Sequence, residues 1–154
     1  MRNSVLAAVA AVAFLAGVAV AKPNFTGDWK LNPSKSSFGD FPAPSSMTMK
    51  IGHEDPNLKV ATSMASDRGE FTWEAAYTTD GKECTNTMRD NESKSVVTWE
   101  GDTLIINTKA SFGGNDVTIN DKWTLAGDGK TLTVERKFTS SQGEMVQKMA
   151  MEKP

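Results

Sequence analysis

The chain has 154 residues, 38% of them hydrophobic, and a net charge of −2 from 17 basic and 19 acidic side chains. That length provides one domain with a sizeable core. The slight acidity excludes the electrostatic footprint of a nucleic-acid or anionic-membrane binder, and a single cysteine, Cys84, excludes an intramolecular disulfide.

The first residues read as an address. Met1 to Ser4 carries one positive charge, and Val5 to Val20 is apolar and rich in Ala and Val. Ala19-Val20-Ala21 fits the small-residue cleavage pattern. A run this short with such an end reads as a secretory signal rather than a membrane span. Leu15-Ala16-Gly17 opens like a bacterial lipoprotein box, but Val18 stands where the acylated cysteine belongs. The expectation is a cleaved signal over 1–21, a single domain over 22–154, and a free exported protein, periplasmic or extracellular.

Ten strands follow, at about 25–31, 46–53, 57–64, 70–78, 83–89, 94–100, 103–109, 116–125, 131–139 and 144–152. Residues Asn32 to Ser46 are rich in Pro, Ser and Gly and read as a crossing loop without a long helix. Phe38 and Phe41 within it either plug one end or gate a pocket. Met47, Met49, Ile51 and His53 share one face of the second strand; Leu58, Val60, Thr62 and Met64 share one face of the third. Phe71, Trp73, Ala75 and Tyr77 come next, paired across Asp80-Gly81 with Cys84, Asn86 and Met88. Cys84 is read as buried opposite Tyr77. Val97 and Trp99 face Ile106 and Leu104 across Gly101-Asp102, while Val96 and Ile105 point outward as a surface patch or a bulge. The Asp128-Gly129 turn sets Leu125 opposite Leu132, Trp123 opposite Val134, Asp121 opposite Arg136 and Ile119 opposite Phe138. The last hairpin sets Phe138, Val134 and Leu132 against Met145, Met149 and Met151. The fold class is therefore all-β: one antiparallel up-and-down barrel with little or no helix.

Gly27-Asp28-Trp29 resembles the G-x-W of lipocalins, in which the Trp packs across the closed barrel end. Ser95 to Leu104 resembles the V-T-x-x-G-x-K-L hairpin of intracellular fatty-acid-binding proteins, and Met151-Glu152-Lys153 resembles their terminal Y-E-K. The chain is thus similar to small secreted lipocalin-like barrels of bacteria within the calycin superfamily. Two departures stand out. The Pro-rich loop replaces the two-helix lid of that family, and Met149 and Met151 stand where its inward R-x-Y holds a ligand carboxylate. A free fatty acid is therefore not the expected ligand.

Ten strands leave more room inside than eight, which side chains alone can fill. Seven methionines (Met47, Met49, Met64, Met88, Met145, Met149 and Met151) fall on the inward parity. They act as core filler or as an adaptable ligand wall. Asp121, Arg136 and Gln147 lie side by side on three neighbouring strands. They form either a self-satisfied pair with a polar neighbour or an anchor for a ligand head group. The candidate ligand-binding residues are Arg136, Asp121, Gln147, Met149, Met151, Trp73, Tyr77, Trp99, Met49 and His53. His53, the only histidine, ends an inward row beside a turn and is placed at a mouth. With no second histidine and one cysteine, neither a metal cluster nor a catalytic triad is expected, and no cofactor. Asn24-Phe25-Thr26 and Asn91-Glu92-Ser93 match the glycosylation pattern, which matters in a eukaryotic secretory pathway.

The functional expectation is an exported, non-enzymatic carrier of a small apolar or amphipathic molecule, without nucleic acid or stable membrane insertion. The alternative is an interaction module of the cell envelope with a filled barrel, binding a protein through the loops Asn32–Ser46 and Ala110–Asn115.

Overall fold

Apolar and polar residues alternate along each segment, and the computed structural model, which describes residues 21–154, turns that alternation into one sheet. The expected signal segment, apart from Ala21, lies outside the described residues. The strands are β1 (Gly27–Leu31), β2 (Ser46–Glu54), β3 (Asn57–Ser66), β4 (Gly69–Thr78), β5 (Glu83–Met88), β6 (Asn91–Glu100), β7 (Thr103–Phe112), β8 (Asn115–Leu125), β9 (Thr131–Ser140) and β10 (Gly143–Glu152). In β2, buried Met47, Met49, Ile51 and His53 alternate with exposed neighbours, as the period-2 pattern requires.

All ten strands join one antiparallel sheet in the order β4-β3-β2-β1-β10-β9-β8-β7-β6-β5. The short β1 links the two ends of the chain, pairing Trp29 with Met49 on one side and Leu31 with Met151 on the other. The sheet curls into a nearly closed barrel around a core that includes Trp29, Leu58, Val97, Leu104, Leu132 and Met151.

The expected registers of the second half hold. Asp121 pairs with Arg136, Trp123 with Val134, and Gln147 with the other side of Arg136. Of Asp128 and Gly129 only the glycine has positive φ (70°), and its N–H donates to the Ala126 carbonyl at 2.9 Å. The turns in which both central residues have positive φ are Arg89-Asp90, at 48° and 63°, between β5 and β6, and Gly113-Gly114, at 59° and 82°, between β7 and β8.

Three expectations need correction. The ladder expected between β4 and β5 does not form, and these strands are the two edges of the sheet. The turn between them is held from both sides: Thr79 N–H donates to Pro56 O at 2.8 Å and Gly81 N–H to Val97 O at 3.0 Å. The strands therefore diverge where the Asp80-Gly81 signal alone pairs them. Cys84 is half-buried rather than buried, and its Sγ accepts from Thr78 N–H at 3.2 Å. Ile105 and Val96 mark neither a bulge nor an open patch. The β6–β7 register runs unbroken from Ser93↔Ala110 to Glu100↔Thr103, Ile105 is buried, and Val96 is half-buried.

The Pro-rich loop is tied down. Its Asn32 caps a short 3-10 turn (Pro33–Lys35), and beyond it the backbone runs along β10. Ser37 and Lys148 exchange two backbone hydrogen bonds, at 2.7 and 2.8 Å, and Ser36 Oγ accepts from Ala150 N–H. Phe38 packs against the core, whereas Phe41 stays half exposed, edge-on to Phe138 with ring centres 6.2 Å apart.

Candidate functional site

The closed end is built by the segment before β1. Phe25 is fully buried, and Trp29 Nε1–H donates to its carbonyl at 2.9 Å. Lys153 sits over the Trp29 ring, 5.1 Å from its centre. His53 does not stand at a mouth: it is 5% exposed and clusters with Phe25 and Trp99, the three ring centres lying 5.6 to 6.0 Å from one another. Its Nδ1 accepts from Phe25 N–H, which leaves Nε2–H to donate to Asp55 at 3.2 Å. Asp55 Oδ1 also accepts from Thr79 Oγ1–H at 2.5 Å and Trp99 Nε1–H at 3.3 Å. Burial raises the Asp55 pKa, but these hydrogen bonds outweigh it and hold the carboxyl below its ordinary value. His53 and Trp99 are thus parts of a structural cap.

Above the cap lies a narrow cavity of about 40 Å³, lined among others by Met47, Met49, Trp73, Tyr77, Trp123 and Met149. Asp121 and Arg136 form its polar wall. Arg136 Nε and Nη2 donate to the two oxygens of Asp121 at 2.6 and 2.9 Å, a two-pronged ion pair. The side chains are 25% and 9% exposed for Arg136 and Asp121. Burial pulls the Arg136 pKa down, but the Asp121 charge and hydrogen bonds more than offset this and keep it above the ordinary value. Beside the pair, burial and then the charge of Asp121 push the Tyr77 hydroxyl up to about 12.

Six of the ten candidates line this cavity: Arg136, Asp121, Met49, Met149, Trp73 and Tyr77. Gln147 is buried next to Arg136 in the ladder but lies outside the lining. Met151 is fully buried core, and His53 and Trp99 belong to the cap. Trp123 was not among the candidates, although it shares the parity of Asp121 two residues earlier. Its Nε1–H is the one buried side-chain polar atom without a hydrogen-bond partner among the described residues. An orphaned buried donor costs about 1–3 kcal/mol.

Among the described residues no group of three or more His, Cys, Asp or Glu is placed to hold a metal ion. No described helix is long and apolar enough to cross a membrane.

No protein-family model matches the chain, and no curated protein matches it. Solved structures do. Secretory abundant heat soluble protein 4 from Ramazzottius varieornatus aligns over 87% of this chain and 96% of its own, at 20% identity and a TM-score of 0.59. A fatty acid transporter variant aligns over 84% and 98%, at 16% identity and a TM-score of 0.58. Zebrafish ileal bile acid-binding protein, solved with cholic acid, covers the same shares at 15% identity and a TM-score of 0.57. At these identities the likeness is one of fold: like these proteins, the chain is a nearly closed barrel, here of ten antiparallel strands.

Proposed function

We propose that this protein is an exported carrier that holds a small, slim apolar molecule inside its barrel and catalyses nothing. The observation that carries this reading is the cavity wall, where Met47, Met49 and Met149 surround a charged pair that neutralises itself. Burial of apolar ligand surface supplies the affinity, about 25 cal/mol per Å² before ordering costs. Barrels of the same fold include a bile acid-binding protein and a fatty acid transporter, which favours a binding role. The cavity is far smaller than the ~300–1,000 Å³ of drug-sized sites. Occupancy therefore requires the methionines to turn aside, a motion their unbranched, three-torsion side chains permit.

Export follows from the signal-like segment, with cleavage before Lys22 and no lipid anchor. N-terminal sequencing of protein recovered outside the cytoplasm tests it, and finding Met1 there overturns it.

The direct test of the carrier reading is titration with an uncharged fluorescent dye such as phenylnaphthylamine, alongside native mass spectrometry of protein from its source. Saturable dye binding and a retained small molecule support it. The small cavity, with Phe41 and Val146 exposed by 50% and 62%, favours a second reading: a filled barrel that docks a protein through the loop over β10. Absence of any dye binding together with a co-purifying protein establishes that alternative.

A further inference from the structure

Building on the carrier reading, we propose that the cavity selects an apolar ligand bearing one uncharged carbonyl oxygen, such as a ketone or ester, and that Trp123 Nε1–H is its recognition donor. The chemistry of the wall is one-sided. Trp123 lines the cavity and has a buried indole N–H with no partner. Arg136 uses Nε and Nη2 on Asp121, which leaves Nη1 and its hydrogens. Tyr77 and Thr62 add hydroxyl donors to the same lining.

Charge decides what kind of acceptor fits. An anionic head group would approach the carboxylate of Asp121, which already holds Arg136 in a bidentate pair. A cation would meet the guanidinium of Arg136. In a nearly dry interior either encounter is costly. A neutral acceptor escapes both penalties and satisfies the orphaned donor. A carbonyl brings no hydrogen of its own, so it adds no new unmet donor to a wall already rich in them. The β8 register places Trp123 one inward step from Asp121, opposite Val134. Val134 in turn pairs with Met149, and Met49 lines the same cavity, so a ligand oxygen at Trp123 leaves its chain within this apolar wall.

The test is displacement of phenylnaphthylamine by a straight-chain methyl ketone, alkane and carboxylate of equal length, on the wild type and Trp123→Phe. The phenylalanine ring preserves most of the apolar surface and removes the N–H. The expected result is a ketone-to-alkane affinity ratio about tenfold lower in the variant, the effect of one hydrogen bond, with the carboxylate no better than the ketone. If Trp123→Phe does not fold, isotope-labelled wild type gives the answer: the Trp123 indole N–H resonance moves downfield with ketone and not with alkane. An unchanged ratio, an unmoved resonance or a preference for the carboxylate overturns the carbonyl assignment and leaves the carrier reading intact. If neither the dye nor any of the three ligands binds, the carrier reading itself falls, and this inference with it.

Discussion

The side-chain amide of Asn86 stands in for a backbone peptide against Ala76. Asn86 Oδ1 accepts from Ala76 N–H at 2.8 Å, and Asn86 Nδ2–H donates back to the Ala76 carbonyl at 3.0 Å. The reciprocal pair bridges β4 and β5, the two edges that form no ladder with each other. Cys84 Sγ accepts from Thr78 N–H two residues on, and the Arg89 guanidinium lies over the Phe71 ring at 3.9 Å. One seam of the barrel is thus closed by side chains rather than by a ladder, and exposed sheet edges are sites of unwanted pairing.

Replacing Asn86 by Ala removes both bonds to Ala76. The site is partly open to water, so the expected loss is about 1 kcal/mol. The local signature is clearer than the global one. Amide exchange at Ala76 should accelerate markedly, while exchange in the β8–β9 hairpin stays near the wild-type rate. Equal exchange at Ala76 in both proteins would mean that the amide pair does not hold the seam.

Trp29→Ala tests the closed end. Trp29 is 1% exposed, donates to the Phe25 carbonyl and is covered by Lys153. Truncating a buried Trp costs about 3–5 kcal/mol, so the variant should melt far lower or fail to accumulate folded. Trp29 lies outside the cavity lining, so a variant that folds should still bind the dye. A melting temperature equal to the wild type would remove Trp29 from the core.

The Asp121–Arg136 pairing was legible because a turn centred on Asp128-Gly129 fixes parity and register together, and one residue of slip turns every side chain to the other face. The open seam was not legible. Asp80-Gly81 carries the same local signal as a hairpin, and the divergence is imposed by long-range bonds from Thr79 to Pro56 and from Gly81 to Val97. His53 was misplaced for a similar reason. Its parity is right, but what buries it is Phe25, 28 residues away and just ahead of β1, a contact that alternation along either segment does not encode. Trp123 carried the right parity, yet its lack of a partner depends on ring orientation and on every neighbouring acceptor. Cavity size likewise depends on the rotamers of the methionines, which alternation does not encode.

Breaking the interior ion pair from one side should be worse than removing it. Asp121→Leu leaves Arg136 three-quarters buried without its carboxylate, and Arg136→Met leaves Asp121 buried and alone. Each single change should cost about 3 kcal/mol, the lower end of the range for buried pairs, because Arg136 retains some access to water. The double variant should lose much less than the sum of the two. A double-mutant cycle read by urea unfolding measures the coupling, and a coupling near zero would mean that the two side chains do not meet in solution. A double variant that folds but no longer binds the dye would make the pair part of the ligand site rather than a structural clasp.

Tyr77 gives the sharpest readout because it is the only tyrosine in the chain. Burial first, and the charge of Asp121 second, raise its pKa from 10.0 to about 12 in the folded protein. The folded state therefore holds this proton more tightly than the unfolded chain does. Its contribution to stability is fully present below pH 10 and is lost as pH rises from about 10 to about 12, up to about 3 kcal/mol in all. Tyrosinate absorbance in the native protein should appear near pH 12, and Tyr77→Phe should flatten the fall in stability over that window. Asp121→Asn removes a negative charge and frees Arg136 to stabilise the tyrosinate. Both effects act in the same direction, so Tyr77 should ionise at lower pH in that variant. Ionisation at the ordinary value in the folded wild type would put the hydroxyl in water and take it out of the cavity wall.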